Sequence, residues 1–348
     1  MTQQSIIAID AMGGDFGPSV TIPAMANVLD KQSDIKFLIY GDKKLVEPLL
    51  DQHSKLKQSC EFIHTDIAIS STDKPSRALR NGKGSSMRLA IEAVKEGKAD
   101  GVVSAGNTGA LMVMSKLILK SLPGISRPAI AGVMPTAKGK TVMLDLGANL
   151  ECDAEILTQF AVLGSVYAKV VQGISNPTVG LLNIGTEEMK GHDEIRAAAE
   201  VLSNVPFPGK YQGFIEGDDI TKGTVNVVVT DGFTGNVALK TAEGVGKLMK
   251  HFLTGAFKSS PLAIIGYLFS MKAIKGMKNK MDPRKYNGGM FLGVNGICVK
   301  SHGGSDIMGT ENAILVAADL IRNKFNDQVA AEIENLMEQE SFVQAVGV

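Results

Sequence analysis

The side chains of this chain that could do chemistry sit in glycine-punctuated turns, each directly behind a short apolar run. DGFTGN (231–236) places Asp231, Thr234, Gly235 and Asn236 behind the run 225–230. The pattern predicts a helix opening at Asn236, with positive φ available at Gly235, so that free N–H groups and the helix dipole face an anion. An ordinary cap at Asn236 is the structural alternative. SAGNTG (104–109) has the same form and offers Ser104, Asn107 and Thr108 as neutral donors or as caps. IGTEEMKG (184–191), entered through Asn183, adds Thr186 and an amino group at Lys190. A lysine there would neutralise phosphate or polarise a carbonyl as charge develops, unless it is a solvated loop residue. DAMGGD (10–15) brings Asp10, Gly13, Gly14 and Asp15, and LDLGAN (144–149) brings Asp145 and Asn149. SHGGSD (301–306) holds His302, an acid or base by type or a structural loop histidine. Backbone N–H groups, hydroxyls, amides and one ammonium suit an oxyanion, either phosphate or the oxyanion of acyl transfer.

Other templates fail on spacing. DAMGGD is not GxGxxG, and there is no GxxxxGK[ST] and no GxSxG, so dinucleotide, P-loop and hydrolase readings have no anchor. Cys60, Cys152 and Cys298 stand singly, without CxxC or a histidine cluster, so neither disulfide nor metal site is expected and a reducing cytosol is the default. Basic and acidic residues balance at 36 each, which argues against a nucleic-acid partner. The start has no basic region before its short apolar run, and no stretch approaches roughly 18 apolar residues, so neither signal peptide nor membrane span is expected. Met112, Met114 and Met143 near the turns could line an adaptable acyl groove, although core filling is the simpler account.

The elements that must position these turns follow from the same runs. Valine- and isoleucine-rich stretches at 5–10, 35–40, 101–104, 141–145, 179–183 and 225–230 read as buried parallel strands. Helical patterns lie between them at about 18–31, 42–57, 74–97, 108–121, 151–172, 188–204 and 236–255, with two more at 310–325 and 328–340. This alternation predicts an α/β chain, a three-layer α/β/α doubly wound and mostly parallel sheet, as one domain over 1–348. Ligands in such sheets meet the carboxyl ends of strands, so the chemical turns are expected on one sheet edge. From 244 to 281 there is no Asp or Glu, while Lys247, Lys250, Lys258, Lys272, Lys275, Lys278 and Lys280 flank PLAIIGYLF (261–269). This segment, 244–284 in all, is expected as two helices projecting from the domain. It would dock on an anionic membrane surface, with a subunit contact or recruitment of an acidic partner as the alternatives.

Taken in order, DAMGGD, SAGNTGA, LDLGAN, LLNIGTEEMKG, VVVTDGFTGNV and KSHGGSD resemble the bacterial acyl-[acyl carrier protein]:phosphate acyltransferases of phospholipid synthesis, over about residues 7–306. The likeness departs at GFIE (213–216), where Phe214 stands in place of the family's usual asparagine, and that loop is left out of the site. The resemblance implies a cytoplasmic homodimer with a Rossmann-like, isopropylmalate dehydrogenase-like fold, and the basic segment at 244–281 adds the expectation that it is peripherally membrane-associated. It implies long-chain acyl-acyl carrier protein and inorganic phosphate as substrates and acyl phosphate as product. A membrane glycerol-phosphate acyltransferase would consume that product. No cofactor is implied, since the phosphopantetheine arm arrives with the carrier protein. By this account Lys190 meets phosphate or oxyanion, Asn236 donates to the carbonyl oxygen, and Asn107, Asn149 and Thr234 complete the cradle. Phosphate already ionises near neutrality and a thiol leaves readily, so the missing Ser-His-Asp or Cys-His set is no obstacle. Short-chain transfer from a coenzyme A thioester, and a non-catalytic phosphate- or lipid-binding module, are the competing readings.

Overall fold

Valine and isoleucine form strands here because alternate side chains enter two different cores. In β1 (Ser5–Asp10), Ile7 and Ile9 face one core and Ala8 the other. The computed structural model describes residues 4–280 and 282–339. α1 (Pro18–Lys31) begins on a proline, which its first turn tolerates, and leads to β2 (Ile35–Gly41). The stretch 42–57, expected as one helix, is two: α2 (Lys43–Leu50), capped by Asp42, and α3 (Ser54–Gln58), before β3 (Cys60–His64). The stretch 74–97 also divides. α4 (Pro75–Asn81) stops at Gly82, and Ser85 caps a new helix, α5 (Ser86–Lys95). At the second break the Ser85 cap, accepting from Arg88 N, outweighs the apolar periodicity.

β4 (Gly101–Ser104) and α6 (Thr108–Leu119) precede an antiparallel hairpin, β5 (Ala129–Thr136) with β6 (Gly139–Leu144). Then follow α7 (Ala154–Gln172), β7 (Thr178–Leu182), α8 (Asp193–Asn204), β8 (Lys210–Ile215), α9 (Gly217–Lys222) and β9 (Val227–Val229). The last elements are α10 (Gly232–Lys258), α11 (Pro261–Lys280), β10 (Gly289–Leu292), β11 (Ile297–Lys300), α12 (Ile307–Arg322) and α13 (Phe325–Met337). The strands make one mixed, mostly parallel sheet in the order β3-β2-β1-β4-β11-β10-β5-β6-β9-β7-β8.

Helices cover both faces. α1, α7, α12 and α13 pack on one side, with Phe160, Tyr167 and Phe325 fully buried, while α5 and α6 pack on the other through Ile91, Leu111 and Met114. Each wholly apolar side chain among these contributes roughly 1.5–3 kcal/mol by leaving water. α7 is long and apolar enough to cross a membrane by length and composition, yet it lies mostly inside the core. α10 and α11 do the opposite. Within α10 only Gly232 and Gly235 are buried, and the pair bends by 119° across residues 259–260 as it leaves the body. Met281 lies outside the described residues, and no side chain is described for Lys278 or Lys280.

One topological feature governs the site. β1, β4 and β11 run parallel to one another, as do β6, β9 and β7. Between the two sets lie three successive antiparallel pairings, β11 with β10, β10 with β5, and β5 with β6. An odd number of reversals turns one set against the other. The carboxyl ends of β1, β4 and β11 therefore open on the opposite sheet edge from those of β6, β9 and β7, and the expectation of a single edge is corrected.

Candidate active site

The edge formed by β6, β9 and β7 is organised by a buried carboxylate. Asp145 accepts from the backbone N–H of Ile130 at 2.9 Å, Ala148 at 3.1 Å and Asn149 at 2.7 Å, and from the Asn149 side-chain amide at 2.9 Å. Burial nonetheless pushes its carboxyl up from the ordinary range. Asn149 also donates to Pro128 O at 2.8 Å, so both amide hydrogens hold the turn. The neighbouring turn is tied to it, because Gly232 N donates to Asn149 O at 2.6 Å and Asp145 N to Thr230 O at 2.9 Å.

α10 does not open at Asn236. Asp231 has extended backbone angles and caps the helix, accepting from Thr234 N at 2.8 Å and Thr234 Oγ1 at 2.7 Å. Aspartate at that place satisfies an orphan N–H that the expected later start would have left open. Gly235 is therefore helical rather than at positive φ, and its requirement is steric: a Cβ there would lie 1.9 Å from Asp145 O. Asn236 falls in the second turn, exposed, beside Gly147, where an added Cβ would sit 3.7 Å from its own. Its side chain makes no hydrogen bond among the described residues.

On the adjacent strand end, Asn183 is buried and donates to Lys190 O at 3.0 Å, fixing the backbone of that turn. The stem of Lys190 lies over Gly185, and its exposed ammonium has no hydrogen bond or ion pair among the described residues. Thr186 is exposed on the same loop. Large apolar side chains surround these donors in water: Ile184 is 79% exposed, Met189 89%, Leu150 71% and Phe233 64%. Sequence reasoning missed this rim. Of the methionines it named, Met114 and Met143 are fully buried in the core.

The opposite edge gathers the remaining candidates. Asp10 is buried and accepts from Ser86 Oγ and Ser104 Oγ, each at 2.6 Å, while burial pushes its carboxyl up. Gly13 packs against Gly106 and Asp10, and Gly14 against Gly303. Asp15 N donates to Gly303 O at 2.9 Å. Asn107 caps α6, accepting from Ala110 N at 3.0 Å, and its amide donates to the carbonyls of Ser70, Ser71 and Asp73. Asn107 is thus a structural tie, while Thr108 is exposed at the helix start. His302 is exposed and accepts from Gly304 N through Nδ1 at 3.2 Å. Two residues escaped the sequence reading. Asn287 supports the His302 loop through Ser301, Ser305 and Gly309. Lys300 sends its ammonium to Ala105 O and Ser301 O, and burial holds it down at about 8 against the pull of Asp10 and Asp15.

Residues 6–328 match the family model described as "Fatty acid synthesis protein". The chain is 51% identical over 336 residues to a phosphate acyltransferase of Paramagnetospirillum magneticum, covering 97% of this chain and 96% of that one. It is 52% identical over 336 residues to a phosphate acyltransferase of Rhodospirillum centenum, covering 97% and 95%. The chain belongs to the phosphate acyltransferase family. It is an enzyme that joins an acyl group to phosphate, in the service of fatty acid and lipid synthesis. Its fold is shared with the EutD phosphotransacetylase of Staphylococcus aureus, at TM-score 0.61 and 17% identity over 92% of this chain and 95% of that one. A Streptococcus pyogenes phosphotransacetylase gives 0.62 and 18%, over 91% and 94%. For this enzyme, the unengaged donors on the β9 and β7 turns offer what acyl transfer to phosphate needs: an ammonium and an amide at strand ends, bordered by apolar surface.

Proposed function

We propose that the enzyme takes a long-chain acyl group from the phosphopantetheine thioester of acyl carrier protein and passes it directly to inorganic phosphate. A phosphate oxygen attacks the thioester carbon, the carbonyl becomes an oxyanion, and the C–S bond breaks to give acyl phosphate and the carrier thiol. Lys190 neutralises phosphate and the developing charge, and Asn236 donates to the carbonyl oxygen. The observation that carries this reading is the pairing of these two unengaged donors with the exposed Ile184, Met189 and Phe233, a surface fit for an acyl chain. A covalent enzyme intermediate has little support from the cysteines. Burial pushes the thiols of Cys152 and Cys298 up to about 12 and raises that of Cys60, so none is a ready thiolate. The enzyme acts as a homodimer on the cytoplasmic face of the membrane, held by α10 and α11. Its acyl phosphate passes to a membrane glycerol-phosphate acyltransferase for phospholipid synthesis.

The test incubates purified enzyme with palmitoyl-acyl carrier protein and phosphate, traps acyl phosphate with hydroxylamine and counts free thiol. Equal release of both supports the reading. Turnover of acetyl-CoA without turnover of the carrier substrate would replace it with the short-chain reaction, and acyl-enzyme trapped on any side chain would remove direct attack.

A further inference from the structure

A cavity of about 470 Å³ opens at the amino ends of β6 and β9, on the sheet edge opposite Lys190 and Asn236. The volume is that of a small-molecule site. Its lining carries two lysines, Lys138 and Lys140, and no carboxylate. Neither ammonium has an acidic partner among the described residues, and Lys140 stands 5.6 Å from the centre of the Tyr286 ring. Deeper in, Tyr167 lines the cavity with 0% exposure, and its hydroxyl has no hydrogen-bond partner among the described residues. The amide nitrogen of Gln172, one turn further along α7, is also buried and unpartnered. Burial drives the Tyr167 phenol well above its usual range, so it stays a protonated donor at neutral pH. Buried polar groups without partners are costly, by about 1–3 kcal/mol each, and two on one cavity point to an absent acceptor.

From the juxtaposition of two unpaired lysines, two orphaned donors and the apolar walls of Val171 and Val316, we infer that this cavity is a second binding site, for a small organic phosphate monoester with a compact apolar group. A phosphate monoester carries about −1.5 to −2 near neutrality, matching two ammonium groups, and its three oxygens match the remaining donors. The carboxyl end of α7 opposes an anion with only about half a unit of negative charge. The apolar walls take the organic group. Inorganic phosphate, the enzyme's own substrate, has nothing to place there.

The chain has no tryptophan, so the fluorescent probe naphthyl phosphate can be titrated into the full-length protein directly. Saturable binding to the wild type is expected. Lys138→Ala with Lys140→Ala should weaken it about tenfold or more, the loss of charge-assisted hydrogen bonds. Tyr167→Phe should weaken it about threefold to tenfold without lowering stability, because its hydroxyl has no partner to lose in the free protein. Lys190→Ala should leave it unchanged. The inference falls if the wild type shows no saturable binding, or if the folded double lysine variant or Tyr167→Phe binds as well as wild type. It falls equally if Lys190→Ala abolishes binding, which would place the probe in the substrate phosphate site.

Discussion

Among the polar residues of the β6, β9 and β7 turns, Lys190 and Asn236 carry side-chain nitrogen donors that their own loops leave unengaged, unlike those of Asn149 and Asn183. Asn149 and Thr234 are already committed to Asp145, Pro128 and Asp231. Lys190→Ala and Asn236→Ala should each lower turnover by about 10²–10³-fold, the loss expected for one transition-state donor, with an unchanged circular dichroism spectrum. Near-wild-type kcat in both would reduce them to turn residues. Asn107→Ala should behave differently, costing about 0.5–2 kcal/mol of stability through the lost cap, read as a lower urea midpoint. Lys300 makes a prediction in pH. Its proton leaves at about 8 in the folded enzyme, whereas the unfolded chain holds it to about 10.4. Between those values the unfolded state binds more protons, so stability rises with pH through the window, and below it the buried charge is a standing cost. The urea midpoint of the wild type relative to Lys300→Met should therefore climb between pH 7.5 and 9.5, and parallel profiles would refute the assignment. The placement of Lys190 and Asn236 just beyond strand ends was legible in the sequence because glycine turns advertise such ends. Lys300 was not, since nothing in KSHGGSD tells a central strand from a surface loop.

At the scale of elements, the run of α10 into the turn after β6 decides whether Asn236 can work. Gly235 has no room for a methyl group against Asp145 O, so Gly235→Ala must push the helix start away from the turn. Turnover should fall by at least about tenfold through misplacement of Asn236 alone. A fold-neutral variant with full activity would show that this packing does not position the site. The strand and helix alternation, and most helix spans, could be read from apolar runs and caps. The two-edge arrangement could not. It arises from β5 and β10, whose patterns AIAGVMPT and GMFL give no sign of direction, and from the antiparallel pairing of these two strands, far apart in the chain, between two hairpin pairings. Residue runs report burial and period. They do not report which neighbour a strand chooses.

At the scale of the whole molecule, a chain of zero formal charge concentrates basic and apolar surface in the helical pair that leaves its body. Leu262, Ile264, Ile265, Leu268 and Phe269 are all exposed on α11, with Phe269 at 88%, and the nearby lysines would meet anionic headgroups at about 1 kcal/mol each. The 119° bend between α10 and α11 leaves no single straight span, so docking by this pair should be peripheral and reversible. Such a position would carry acyl phosphate, made at turns on the root of α10, to a membrane acceptor without release into bulk water. Liposome sedimentation separates this proposal from its rivals. Wild-type enzyme should pellet with phosphatidylglycerol vesicles at low salt and be released as salt screens the lysines. Ile264→Glu with Ile265→Glu should abolish pelleting while leaving the oligomeric state and the activity on soluble carrier substrate intact. If the double variant instead splits the oligomer, the apolar face of α11 is a subunit contact. If the wild type ignores anionic vesicles while the lysines prove necessary for turnover of the acidic carrier, the basic surface is a partner site and the membrane proposal is wrong.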